Sequence, residues 1–551
     1  MLRPSTDRLL LSTVFLAGVG TLGIEMVMPR LLAPFFGTSQ PIWAVVIGTT
    51  LLYLAIGYRL GGALADRQPD ERLLYRLIAW AGMLTAAIPL LSRPLLGLAQ
   101  YSLRAVAAGG FIGALLAAVL LFAAPVILMA MVGPFATRLR LRAVAEGVEA
   151  AGRTVGSISA LSTLGSILGT FVTVLLLIPA LGTAATIYFI AMFLLGLGLL
   201  GMASWRASWM LAVAVALIGL GLLSGGGVKS ADCYGCTLIA EDESSYNYIQ
   251  VAQQQIEYSS GRVDERRVLL LNEGRALHSI YRLKYQATGE PVDLLTDGGP
   301  WDYFAVAPYL FANRDPASVR SLAMIGSAAG TVPKQFLAIY GPQTTIDAVE
   351  IDGAIVELGR RYFDLEDRDP AYPNYTTHVQ DGRSWLATAT TSYDVIGMDA
   401  YHQPYIPFHL TTIEFFQQVK ARLNPGGVAV VNAGRPASGD DRLVNALAST
   451  MRAVFPQVFI IDTRFSNALL IGVSEPVGDG AANFAANAER MPIPALQLVM
   501  YWAQSEGRFG PVREFTPQMA RYAPFTDDRA PVEQLIDGLI FSEIGELQRE
   551  P

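Results

Sequence analysis

The chain has 551 residues, of which 52% are hydrophobic and only 16% charged, against the quarter or so usual in a soluble protein. A net charge of −7 without any Lys/Arg-rich block leaves no electrostatic case for a nucleic-acid partner. The two cysteines, Cys233 and Cys236, are too few to close a zinc site, which needs about four ligands, so no metal is expected. Their C-Y-G-C spacing reads equally as a redox or disulfide pair and as two incidental thiols.

Charges are sparse before Gly225 and ordinary after Lys229, so two different solvents are implied. Seven apolar segments run at roughly 9–29, 41–60, 77–92, 105–132, 155–179, 184–203 and 207–225. Most approach the ~20 residues that cross ~30 Å of hydrocarbon, where only helices satisfy their own backbone. A multi-pass α-helical membrane bundle over 1–228, seated in the cell membrane, is expected. The first segment runs into Glu25 and Arg30 without a small-residue cleavage site, so it does not read as a removed signal. Gly18, Gly20 and Gly23, and the G-x-x-x-G pair Gly165 and Gly169, mark helix faces that pack backbone to backbone. Arg59, Arg67, Arg72 and Arg76, then Arg138, Arg140, Arg142 and Arg153, put two loops and the N-terminus on the cytoplasmic side. Seven crossings would leave the C-terminal part outside, at odds with a cytosolic ligand for it. Glu25 reads as an interfacial or paired carboxylate, with a functional role as the alternative. Gly61–Arg67, G-G-A-L-A-D-R, resembles the cytoplasmic loop signature of major-facilitator transporters, although seven segments fall short of that family's usual twelve.

From 237 to 281 the pattern is β-rich, with S-Y-N-Y-I-Q-V and R-V-L-L-L runs between polar turns. A small antiparallel subdomain over 229–315 follows. From Val319 the rhythm changes to short buried strands alternating with helices, at Ser321–Ile325, Thr345–Asp352, Tyr375–Val379, Tyr393–Met398, Gly427–Asn432, Val458–Asp462 and Ala468–Val473. Such alternation implies a doubly wound, Rossmann-like sheet of the methyltransferase type over 316–551. Ligands of such sheets sit outside the carboxyl ends of the strands. Gly326 and Gly330 permit a tight turn there, Glu350 is placed to accept from ribose hydroxyls, and Asp381-Gly382 to meet an adenine amino group. Asp399, closing the fourth strand, can act as a general base on an amine or as a turn cap. Tyr401, His402 and Tyr405 follow it as a candidate acceptor wall or a packed loop. The tail Pro524–Glu533 reads as structural.

These motifs, S-S-Y-N-Y-I-Q-V, G-S-A-A-G, V-E-I-D, the D-G pair, the strand ending in Asp399 and I-P-F-H-L-T-T-I-E-F-F, together resemble the spermidine synthase (polyamine aminopropyltransferase) family over about 240–475, the last run resembling its membrane-fused branch. The resemblance implies aminopropyl transfer from decarboxylated S-adenosylmethionine to an amine, leaving methylthioadenosine, with no tightly bound cofactor. Glu350 would hold ribose, Asp381 adenine, and Asp399 the amine proton. Asn247 stands where the family has Gln. Ala329 replaces the acid of the family's G-G-G-D-G turn, Tyr303-Phe304-Ala305 replaces Tyr-His-Glu, and His402 replaces a second acid. A dication needs carboxylates at both ends, so nucleoside recognition looks better kept than polyamine recognition. The expected partners are a small-molecule amine acceptor and the bilayer, with a homodimer as a candidate assembly. A transporter or sensor with a degenerate nucleoside domain, and an S-adenosylmethionine-dependent methyltransferase, are the alternatives.

Overall fold

A computed structural model describes residues 4–36, 40–102, 109–143, 151–202, 208–223, 235–244, 246–257, 263–272, 277–401, 406–436 and 438–536. His402, Tyr405 and Cys233 lie outside the described residues. The chain divides into two compact units: 1–230 with 243–248, and 231–242 with 249–551.

The first unit is helical: α1 (Pro4–Phe36), α2 (Gln40–Arg67), α3 (Glu71–Ser102), α4 (Gly109–Ala130), α5 (Val132–Ala143), α6 (Ala151–Val172), α7 (Ile178–Met202) and α8 (Ser208–Leu223). Five described runs are long and apolar enough to cross a membrane: Asp7–Ala33, Ile42–Arg67, Glu71–Ser92, Phe111–Arg142 and Ala151–Met202. Trp209–Gly221 is apolar but shorter. The fourth apolar segment ends with α4 at Ala130, and the arginine-bearing α5 follows. The fifth and sixth are one 52-residue run. At 1.5 Å per residue that is far longer than one crossing, and Gly182, at φ 77°, breaks it in two. Large apolar side chains such as Leu51, Leu120, Phe171 and Leu200 stand exposed on the bundle's outside, as expected of helices that meet lipid. The small residues pack as their spacing implies. A Cβ on Gly165 or Gly169 would overlap the carbonyls of Phe15 or Val19, so α1 and α6 touch backbone to backbone. Glu25 is half-buried within α1 and forms no ion pair among the described residues, so the paired reading is withdrawn.

The second unit begins with a four-stranded sheet in the order β1 (Cys236–Glu243), β2 (Tyr248–Glu257), β3 (Val263–Leu271), β4 (Leu277–Arg282), whose β2–β3 and β3–β4 pairs are antiparallel. Cys236 is disulfide-bonded, and Cys233 is the chain's other cysteine. After α9 (Lys284–Thr288) comes the larger sheet, built from β5 (Ser321–Ile325), β6 (Thr345–Glu350), β7 (Tyr375–Val379), β8 (Tyr393–Met398), β9 (Leu423–Gly434), β10 (Val458–Asp462), β11 (Asn467–Val473) and β12 (Arg513–Glu514). Its order is β12-β10-β11-β9-β8-β5-β6-β7. The strands from β9 to β7 are parallel, whereas β11 runs antiparallel to β9, and β10 to β11. The sheet is therefore Rossmann-like and of the methyltransferase type, with an antiparallel edge that alternation alone does not reveal.

The helices α10 (Thr331–Tyr340), α11 (Gly353–Tyr362), α12 (Gly382–Thr388), α13 (Ile413–Ala421) and α14 (Arg442–Arg452) cover the sheet. Several start on side-chain caps: Asp352 accepts from the Ala354 N–H (3.1 Å), Asp381 from Ser384 (2.8 Å) and Thr412 from Phe415 (3.3 Å). One apolar core joins the two sheets, packing Val268, Leu270 and Ile280 with Leu322, Phe336 and Val430. The tail is tied to these helices. Asp527 accepts from Arg383 on α12 (2.6 and 2.7 Å) and from Thr412 ahead of α13 (2.7 Å).

Candidate active site

Strand order reverses between β5 and β8, so the crevice opens at their carboxyl ends. After the fully buried β5 the chain turns through Gly326 (φ 77°), Ala328 (φ 46°) and Gly330 (φ 89°) into α10. A Cβ on Gly326 would lie 2.5 Å from the Asp399 carbonyl oxygen, and one on Gly330 2.5 Å from Leu365. Both positions need glycine for space as well as for the positive φ. Gly326 thereby presses the turn against the end of β8.

Glu350, at the end of β6, is buried, and its two carboxyl oxygens accept from backbone N–H groups of Ala328 (2.9 Å) and Asp352 (3.1 Å). It therefore holds the glycine turn and the start of α11 together. Burial pushes its pKa up to about 7, against the lowering effect of those amides. Asp381 is half-buried. One oxygen caps α12 and the other meets His409 Nε2 at 3.1 Å. Burial raises its pKa, but the Ser384 and His409 hydrogen bonds outweigh that, and the net shift is downward. Gly382 lies against Ile325, where a Cβ would overlap that side chain, so the Asp381-Gly382 pair reaches the end of β5. Asn247 stands in the turn before β2, buried, its backbone N–H donating to Ser244 Oγ at 3.0 Å.

Asp399 is half-buried beyond β8, its own N–H donating to the Ile325 carbonyl (2.9 Å). Its Oδ1 accepts from Asn432 Nδ2 at 2.9 Å, and the Trp301 side chain supplies a further hydrogen bond. Burial pushes this carboxyl up to about 6, while both hydrogen bonds pull the other way. Asn432 is itself fixed by Asn467, which donates to its Oδ1 at 3.0 Å. Tyr401 is tied to the same strand: its hydroxyl donates to the Asn432 carbonyl (3.0 Å) and accepts from the Gly434 N–H (2.8 Å). The hydroxyl offered as part of an acceptor wall is thus occupied by β9.

Two readings of the departures change. Tyr303, Phe304 and Ala305 are fully buried in the core, and Phe304 packs beneath Gly397 of β8. They fill the interior instead of facing an acceptor, because their short 3-10 turn directs them inward. Ala329 is likewise buried, its N–H donating to Ser279 Oγ at 3.0 Å and its side chain in an apolar cluster with Val251 and Leu358. A carboxylate there would be desolvated among hydrocarbon. From the 300s segment it is Trp301 that meets Asp399. The loop bearing it is held by Asp302, fully buried, which accepts from the N–H groups of Thr296 (2.8 Å) and Gly298 (2.9 Å), the Thr296 hydroxyl (2.9 Å) and Gln335 Nε2 (2.8 Å).

Sequence reasoning missed Trp301, Asn432 and Asn467. Asn432 carried a usable signal. It is a lone amide near the end of an apolar strand, G-G-V-A-V-V-N-A-G, and the Met398–Val431 pairing places it level with Asp399.

Residues 318–468 match the family model described as the Spermine/spermidine synthase domain. A probable polyamine aminopropyl transferase of Bifidobacterium longum is 32% identical over 323 residues, covering 56% of this chain and 65% of that protein. A polyamine aminopropyltransferase of Vibrio vulnificus is 32% identical over 163 residues, 29% of this chain and 50% of that one. The chain thus spans between half and two thirds of the length of these relatives. The crystal structure of a probable spermidine synthase from Corynebacterium glutamicum aligns over 50% of this chain and 95% of that one, at 21% identity and a TM-score of 0.36. Residues 318–468 are thus similar to the spermine/spermidine synthase family.

Proposed function

We propose that this protein is a membrane-anchored aminopropyltransferase that moves an aminopropyl group from decarboxylated S-adenosylmethionine to an amine. The observation that carries the reading is the Asp399 carboxyl: half-buried, raised to about 6, and held by Asn432 and Trp301 beside the Gly326 turn. A base whose pKa lies just below neutrality is ionised at pH 7 yet basic enough to take a proton in the transition state. The neutral amine attacks the methylene carbon bound to the sulfonium sulfur. The new C–N bond forms as the C–S bond breaks, methylthioadenosine leaves, and the amine proton passes to Asp399. Alignment of the two reactants supplies much of the rate. Glu350 and the turn from Gly326 to Gly330 would hold the ribose, with Asp381 and Gly382 at the adenine end. Anchoring rests on the long apolar helices.

Where the family carries a second acid this sequence has His402, so a dication would lack a carboxylate it requires. We therefore expect an acceptor with one amine and an apolar remainder. Calorimetry on the full-length protein with methylthioadenosine, S-adenosylmethionine and its decarboxylated form tests the proposal. Tighter binding of the decarboxylated form supports it, preference for the intact carboxylate would support methyl transfer, and no binding of any would overturn both. Asp399→Asn should lower turnover by roughly a thousandfold while leaving nucleoside binding in place.

A further inference from the structure

The helical unit contains a cavity of about 660 Å³ between α2, α5 and α6, lined by Tyr58, Asp66, Thr137, Arg138, Ser159 and Ser162 among others. That volume falls within the range of small-molecule sites. A narrower crevice shares Tyr58, Gly133 and Ser162 with it and continues inward along α1 past Ala17, Gly18, Thr21 and Leu22, and along α2 to Leu54. The two adjoin at these residues and together form a cleft, wide at the arginine-bearing end of α5 and only about 70 Å³ toward the middle of α1.

Its chemistry is uneven. At the wide end Arg138 Nε pairs with Asp66 Oδ1 at 2.9 Å, which leaves that end close to neutral. Along the walls the hydroxyls of Tyr58, Ser159 and Ser162 make no hydrogen bond to any described residue, although they project from otherwise apolar helices. Deeper still, Glu25 follows Leu22 and Thr21 by three and four residues, so it continues the same face of α1 by one helical turn. Thr50 precedes Leu54 by four residues and continues the α2 wall likewise, and its buried hydroxyl has no partner among the described residues. A carboxylate at that depth with no ion-pair partner is costly in an apolar bundle, and a cation is what offsets the cost.

We infer that this cleft is a second amine site, taking an aliphatic ammonium ion whose charged end meets Glu25 and whose chain lies along Thr21, Leu22 and Leu54. The inference rests on the bundle spanning a membrane, as proposed above, and is independent of the chemistry at Asp399. The neutral Arg138–Asp66 end favours a single charge over a dication.

The test uses the purified full-length protein in lipid nanodiscs, with radiolabelled n-butylamine as probe and 1-butanol as its uncharged competitor. Glu25→Gln should weaken amine binding at least tenfold. Gly133→Leu fills the cleft at a position where an added Cβ meets nothing within 4 Å, and should weaken binding similarly with the carboxylate intact. Transferase turnover and the size-exclusion profile should stay unchanged in both, which separates loss of the site from misfolding. Equal amine binding in wild type and both variants, or displacement by 1-butanol as readily as by unlabelled amine, would overturn the inference. Membrane retention after carbonate washing is read on the cell membranes from which the protein is purified. A chain that washes off defeats the anchoring proposal, whereas a retained chain with unaltered binding defeats only the amine site.

Discussion

The two units solve burial in opposite ways. In the helical unit, contact is made by subtraction. Gly18, Gly165 and Gly169 remove side chains so that α1 and α6 meet at their backbones, and some buried hydroxyls, such as that of Thr186, have no partner among the described residues. In the α/β unit, buried polar groups are numerous and several are bound many times over. Asp302 collects hydrogen bonds from Thr296, Gly298 and Gln335, and Asp462 is held between Arg435 and Arg513 at 2.8 and 2.6 Å. The contrast teaches that close approach does the positioning in the first unit, and directed hydrogen bonds do it in the second, where reacting groups must be aimed.

The most severe way to break this contrast is to restore a side chain at the helix contact. Gly165→Leu has no room against the Phe15 carbonyl and should leave no monodisperse full-length protein in detergent. Gly196→Leu, where an added Cβ meets nothing within 4 Å, should be tolerated. If size-exclusion profiles of the two are alike, backbone contact is not what holds α1 to α6. Next in size, Asp302→Ala should cost the α/β unit about 3 kcal/mol or more in denaturant unfolding, because several buried donors lose their acceptor at once. It should also release the loop that carries Trp301.

Asn432→Ala should act on aim instead of stability. Turnover should fall about tenfold with KM little altered, and the pH midpoint of the rate should move above that of the wild type, because the lost hydrogen bond is one that lowers the Asp399 pKa. An unchanged midpoint with altered thermal stability would make Asn432 a packing residue only. The same pKa makes a linked statement about stability. Folding raises Asp399 from its usual 3.8 to about 6, so it favours the neutral form. That contribution is complete below about pH 4 and is lost as pH rises through 6. Asp399→Asn should therefore unfold no earlier than wild type at pH 8, even where its turnover is lowered. The smallest expected effect returns to the bundle. Thr186→Val removes a buried hydroxyl with no partner and should change thermal stability by about 0.5 kcal/mol or less, or raise it. A large loss would mean that the bundle, too, depends on directed polar contacts.

Much of this was legible in the residues. The strands Ser321–Ile325, Tyr393–Met398 and Val458–Asp462 have the limits their apolar runs suggest, because a buried strand between turn residues is a local property. The turn at Gly326 and Gly330 and the acids at strand ends were legible for the same reason. The antiparallel β11 was not, since direction is decided by the partner strand. Nor was the inward turn of Tyr303-Phe304-Ala305, which aligned residues suggest faces a substrate. Trp301 and Asn432 reach Asp399 from about 100 residues before it and 33 after it, and no spacing along the chain encodes that approach.

Composition and periodicity alone determined that the chain divides into an apolar helical part and a doubly wound α/β part, because hydrophobic pattern and turn chemistry act over a few residues at a time. Only the folded chain decided how the carboxylates are engaged, Glu350 by the glycine turn, Asp381 by a helix cap and His409, and Asp399 by Asn432 and Trp301, with burial raising Glu350 and Asp399 toward neutrality. That decision belongs to tertiary structure because a pKa and a hydrogen-bond direction are set by neighbours that the sequence keeps far apart.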